Sequence, residues 1–138
     1  MIRSVNPTEH QIQCAIVEWA NTNKYDGYKT IGFNLIAIPN GGNRSITEGV
    51  RLKREGVTAG VSDLFLAIPI TGYRKTPTGG GWCGHLSGLW LEVKTKKGKV
   101  SEKQQSWMRL MRMCGYEAVV VKSIDEGIQA IKDYLGMK

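Results

Sequence analysis

No run of apolar residues in this chain approaches bilayer-spanning length, and the polar stretch from Met1 to Gln11 lacks a signal-peptide core. An intracellular, cytoplasmic protein is therefore expected, with no membrane partner. Cysteine is scarce and odd in number. Cys14, Cys83 and Cys114 are widely spaced and read as reduced thiols rather than a disulfide framework. Cys83 and His85 lie close together, but a zinc site wants about four ligands, more than this pair offers. Neither His10 nor His85 has a convincing partner for histidine-based catalysis. Internal repeats and low-complexity tracts are also missing. What remains is 138 residues, 41% of them hydrophobic, enough to bury one core without disulfides or a structural metal. Residues 1–138 are thus expected to form a single domain.

Negative charge is in short supply as well: 12 Asp and Glu stand against 19 Lys and Arg, a net charge of +7. Such an excess favours a polyanionic partner through phosphate neutralisation and counterion release. Part of it is concentrated, with Lys94, Lys96, Lys97, Lys99 and Lys103 close together and Arg44, Arg51, Lys53 and Arg54 in another stretch. By itself, a solvated basic surface would account for this. Its position beside the acidic residues described next turns the reading towards nucleic acid.

The run Leu89-Trp90-Leu91-Glu92-Val93-Lys94 sets a carboxylate and an ammonium two apart within an apolar segment. On a strand, Leu89, Leu91 and Val93 share one face and Trp90, Glu92 and Lys94 the other. Opposite charges inside a strand are costly unless solvated, paired or bound to a metal. Upstream, Gly60-Val61-Ser62-Asp63 opens a second apolar run, Leu64 to Ile68. If these two strands are neighbours, Asp63, Glu92 and Lys94 converge on one sheet edge. Hard cations such as Mg²⁺ take a few carboxylate oxygens and retain exchangeable waters. A lysine beside such an ion can orient or help deprotonate an attacking water.

The local signals order the elements as α-β-(α)-β-β-α-β-α. Asn6 as N-cap, Pro7 at the first helical position and Glu9 at the third predict a helix with the apolar stripe Ile12, Ala15, Ile16, Trp19 and Ala20. A polar turn over 21–29 precedes a strand over 33–38, ended by the breakers of 39–44. A short helix over 47–55 and a strand over 63–68 follow. Residues 69–88, with six glycines and two prolines, read as a long irregular loop inserted in the domain, a candidate dimer or junction contact. A strand over 89–95 leads to a helix capped by Ser101, with Trp107, Leu110, Met111 and Cys114 on its buried side and Gly115 beyond its end. A strand over 117–122 and a last helix beginning at Ser123 or Asp125 complete the chain, with Ile128, Ile131 and Leu135 inward. The fold class expected is α/β, one mixed sheet flanked by helices, with a parallel crossover from Val93 to Val119.

Asp, a strand and loop, then Glu-x-Lys resembles the PD-(D/E)xK nuclease superfamily, with Ser62 where its name carries proline. Six features in order resemble one branch, the VRR-NUC domain, from about Glu9 to Ile131. They are Glu9-His10-Gln11, Pro39-Asn40-Gly41 with Arg44, Gly60-Val61-Ser62-Asp63, Glu92-Val93-Lys94, Ser101-Glu102-Lys103-Gln104, and Gly115-Tyr116 before Val119-Val120-Val121. The resemblance implies a restriction-endonuclease-like core of order α-β-β-β-α-β. It also implies metal-dependent hydrolysis of DNA phosphodiesters by in-line attack of water.

On that resemblance, Asp63 and Glu92 would bind Mg²⁺ or Mn²⁺ with the Val93 backbone carbonyl as a third oxygen, and Lys94 would position the water. Glu9 would hold a metal-bound water, with Glu18 as its rival on the same helix. Gln104, or Gln105 beside it, would fix the scissile phosphate or a site group. Asn40, Gly41, Arg44, Lys96, Lys97 and Lys99 would contact the DNA backbone. Standalone members are thought to be homodimers resembling Holliday-junction resolvases, so branched DNA is the leading substrate and phage origin the analogous context. The alternatives are cleavage of flaps or ends, and a non-catalytic nucleic-acid-binding module of the same fold.

Overall fold

The computed structural model describes residues 6–26, 29–39, 45–75 and 80–138. The first helix, α1 (Glu9–Thr22), starts two residues later than Asn6 and Pro7 suggest. Its N-cap is Thr8, whose hydroxyl accepts from the Gln11 N–H while the Gln11 side chain accepts from the Thr8 N–H. The capping box is therefore Thr8 with Gln11, not Asn6 with Glu9. A reciprocal pair satisfies two orphan donors, and Pro7, having no N–H, sits outside without cost. Glu9 is left free for another role.

The segment expected as a turn holds a small antiparallel ladder of β1 (Lys24–Tyr25) and β2 (Lys29–Thr30). One turn of 3-10 helix, Ile31–Phe33, then replaces the expected start of a strand, and β3 is confined to Leu35–Ala37. Asn34 explains the delay. Its side chain donates to the Ala67 carbonyl at 3.0 Å and its own carbonyl accepts from Ala67 N at 2.9 Å, so pairing begins after it. Helix α2 (Ile46–Arg54) follows, capped by Ser45, and buries none of its residues.

Strand β4 (Leu64–Leu66) leads into a second departure. Where an irregular loop was expected, β5 (Ile70–Lys75) and β6 (Gly81–Leu86) form an antiparallel hairpin in continuous register from Ile70↔Leu86 to Lys75↔Gly81. Gly72 faces Gly84 across it, both at positive φ. Glycine-rich strands carry no alternation of side chains for a sequence reading to detect. The chain continues through β7 (Leu89–Val93), α3 (Glu102–Met113), β8 (Glu117–Val121) and α4 (Ile124–Leu135).

The main sheet has the order β3-β4-β7-β8, with β4 antiparallel to both neighbours and β7 parallel to β8 through the α3 crossover. One face is apolar across its centre, with Glu117 at its β8 edge. Leu64, Leu66, Leu89, Leu91 and Val93 are at most 1% exposed there, under Ile12 and Ile16 of α1 and Ile131 of α4. Gly127 lets α4 approach α1, because a Cβ there would run into the Ile16 side chain. Tyr134 is buried in this layer, its hydroxyl donating to the Ile68 carbonyl at 2.7 Å.

The opposite face carries Phe65 stacked on Trp90 at 4.2 Å, with Trp107 of α3 edge-on to Trp90 at 4.6 Å. The inward side of α3 is Gln104, Trp107, Met108 and Met111; Leu110 is 51% exposed and Cys114 is exposed, contrary to expectation. A stripe centred between Trp107 and Met108 meets the aromatic row squarely, which rotates Leu110 and Cys114 outward. No helix among the described residues is long and apolar enough to cross a membrane.

Candidate active site

The two acidic residues do meet. Strands β4 and β7 pair with Leu64 opposite Leu91, and continuing that antiparallel register sets Asp63 opposite Glu92. Asp63 is anchored twice at the strand mouth. Its carbonyl accepts from Ile38 N at 2.8 Å, and its side-chain Oδ2 accepts from Val93 N at 2.8 Å. The carboxylate is thereby turned towards β7. Val93 thus meets Asp63 through its N–H.

Glu92 is 1% exposed, an unusual position for a carboxylate. The Lys94 ammonium lies 3.6 Å from its Oε1, while Oε2 is buried with no hydrogen-bond partner among the described residues. Burial first, and then the neighbouring Asp63 carboxylate, push the Glu92 carboxyl up to about 8 against a partial downward pull from Lys94. At neutral pH the pair Asp63–Glu92 therefore tends to hold a proton, as two close carboxylates do without a cation between them.

A cavity of about 420 Å³ opens beside this pair. Glu9 of α1 and Gln104 of α3 line it together with Asp63 and Glu92, whereas Glu18 and Gln105 are exposed and absent from its walls. The Gln104 side chain also accepts from Ser101 N at 2.9 Å, closing the cap of α3. Gly60 makes this convergence possible. It adopts φ +90°, and a Cβ there would lie 2.7 Å from the Lys103 carbonyl oxygen, so only glycine lets the loop before Asp63 reach the first turn of α3.

Glu9 does not complete a third acidic ligand: no group of three or more His, Cys, Asp or Glu that could hold a metal occurs among the described residues. Lys96 and Lys97 line a neighbouring cavity rather than this one, and Lys99 is exposed. Asn40, Gly41 and Arg44 lie outside the described residues. Lys53 and Thr58, from α2 and the loop after it, line the acidic cavity and were not singled out from the sequence. Lys53 belongs to a basic stretch whose signal was charge alone; Thr58 gave none.

The VRR-NUC domain, a nuclease domain of the PD-(D/E)xK type that acts on DNA, is the class to which this mixed sheet with its paired carboxylates corresponds. The VRR-NUC domain model matches residues 6–125. The chain belongs to the VRR-NUC domain family. Among solved structures, a VRR_NUC domain protein superposes with a TM-score of 0.73 at 24% identity, covering 96% of this chain and 92% of that one, a likeness of fold. No curated protein matches the chain.

Proposed function

We propose that the chain is a divalent-metal-dependent endonuclease that hydrolyses phosphodiester bonds in branched DNA, working as a homodimer in the manner of a junction resolvase. The observation that carries the metal dependence is Glu92, a fully buried carboxylate with one partnerless oxygen and a second carboxylate opposite it. The donor set fits a hard cation: a divalent ion, Mg²⁺ or Mn²⁺, would satisfy the free oxygen and cancel the repulsion that raises the Glu92 carboxyl. Asp63 and Glu92 would hold it, with the Val93 carbonyl as a further oxygen. Bound there, the ion would supply charge stabilisation at the phosphoryl oxygens and lower the pKa of water.

The chain's own groups divide the remaining work. Lys94, held against Glu92, orients the attacking water and offsets negative charge as the phosphate enters. Glu9 faces the same cavity and accepts a hydrogen bond from water there. Gln104, fixed by its cap, presents its amide to the scissile phosphate. Arg44, Lys96, Lys97 and Lys99 neutralise flanking phosphates, in keeping with the net charge of +7, while Asn40 and the Gly41 backbone donate hydrogen bonds to them. Residues 1–138 act as one domain with the β5–β6 hairpin as its insertion. Support for a branched substrate comes from the resemblance to standalone VRR-NUC domains, because a two-fold dimer sets two sites in opposed orientation for paired nicks.

The test compares labelled four-way junction, flap and linear duplex with wild type and Asp63→Asn in Mg²⁺, Mn²⁺ or EDTA. Paired symmetric nicks in the junction, lost in EDTA and in the variant, are expected. Cleavage of flaps or ends alone removes the junction reading; tight binding without cleavage in either metal removes the enzyme.

A further inference from the structure

The first turn of α1 divides two cavities. Glu9 lines the acidic one, while Thr8 and Ile12 line a second, also of about 420 Å³. The second lies beyond the carboxyl ends of the parallel strands β7 and β8, since its walls include Thr95 to Lys97 after one and Lys122 and Ser123 after the other. Such crevices are where open α/β sheets bind ligands. Lys96, Lys97 and Lys122 line it, and no carboxylate does. Both helix starts at its rim carry side-chain caps, Thr8 on the Gln11 N–H and Ser123 on the Glu126 N–H, so the formal positive charge of the cavity comes from the lysines. Three lysines lining one cavity bring like charge together, and a phosphate bound among them relieves that repulsion.

We infer that this cavity receives a backbone phosphate of the substrate strand, held by Lys96, Lys97 and Lys122. The inference rests on the nuclease reading above and adds to it a defined subsite and Lys122. Glu92 lines the acidic cavity and Thr95 the basic one. Three residues of extended chain span at most about 10 Å. At ~3.4 Å of axial rise per nucleotide on one strand, the held phosphate lies within roughly three nucleotides of the cleaved bond.

The experiment measures binding in EDTA to a set of junctions, each with one neutral methylphosphonate at a known position near the cleavage point. Wild type is expected to lose about five- to tenfold in affinity at one or two positions within that window. Lys122→Gln should lose a similar factor on all-phosphate DNA, lower the salt slope by about one, and suffer no further loss at those positions. Lys122 is exposed, and a thermal melt checks that the variant folds. Unchanged affinity and salt slope in Lys122→Gln, or losses that simply add, would overturn the assignment. So would a loss seen only on removing a terminal 5′-phosphate, which would assign the cavity to a strand end. Wild-type cleavage in Mg²⁺ is scored separately on the unmodified junction. Cleavage without the methylphosphonate pattern rejects the subsite alone, and the pattern without cleavage supports the subsite while rejecting the enzyme.

Discussion

The two faces of the main sheet follow different rules. On one, Leu64, Leu66, Leu89, Leu91 and Val93 are almost wholly excluded from water by α1 and α4. On the other, the same strands carry Trp90 and Glu92, each with a buried polar atom that finds no partner among the described residues, while Ile36 stays 48% exposed. The first face buries hydrocarbon almost throughout, apart from the edge residue Glu117, whose carboxylate accepts from the Ala118 N–H, and Ser62 at the mouth of β4, whose buried hydroxyl finds no partner among the described residues. The second tolerates a carboxylate in a place that costs free energy, beside a cavity. Proteins keep such costs where binding or chemistry repays them. The apolar face holds the fold, and the polar face is where this chain departs from optimal stability.

The largest effect expected from breaking that contrast is in activity. Asp63→Asn should lower cleavage by about a thousandfold or more, roughly 4 kcal/mol in the barrier, while its melting temperature stays within a few degrees of wild type. Single-turnover cleavage together with a circular-dichroism melt reads both. Leu91→Ala, one residue away on the other face, should do the reverse, costing about 3–4 kcal/mol of stability by denaturant titration and sparing cleavage at low temperature.

A smaller effect concerns pH. Glu92 titrates near 8 when folded, against 4.5 for an ordinary glutamate, so between those values the folded state holds the extra proton. Metal-free stability should therefore fall as pH rises from about 4.5 to 8 and level off above it. Cation affinity should rise over the same interval with release of a proton, which calorimetry in buffers of different ionisation heat would detect. A flat affinity profile from pH 5 to 8 would remove Glu92 as a ligand. Least in magnitude, Lys96→Glu with Lys97→Glu should weaken DNA binding across all sequences and steepen nothing in the melt.

Much of this arrangement was legible in the residues. Asp63 and the Glu92-x-Lys94 spacing stood out because charged groups inside apolar runs violate the pattern that surrounds them, and β4 and β7 proved to be neighbours. The crossover from β7 through α3 to β8 followed from a capped helix between two valine-rich strands. What escaped were features set by contacts distant in sequence. Asn34 delays β3 through its bonds to Ala67, thirty-three residues away, and nothing local announces it. The β5–β6 hairpin hides in glycine, whose strands lack a readable face. The start of α1 is ambiguous in sequence because Asn6 with Glu9 and Thr8 with Gln11 offer the same box two residues apart. That shift matters for the site, since it frees Glu9 from capping and turns it into the acidic cavity. Lys122 carries no local signal for a similar reason: alone at the end of β8 in sequence, it joins Lys96 and Lys97 only in space.

The central claim is that Glu92 is buried for chemistry at the expense of stability, and Glu92→Gln tests it most directly. Chemical denaturation of wild type and variant without metal at pH 5 and pH 8, paired with cleavage in Mg²⁺, would be the measurement. The account predicts a variant that cannot cleave yet is more stable at pH 8 by roughly 3–4 kcal/mol, against less than about 1 kcal/mol at pH 5. A variant that still cleaves, or one that is less stable at pH 8, would contradict it.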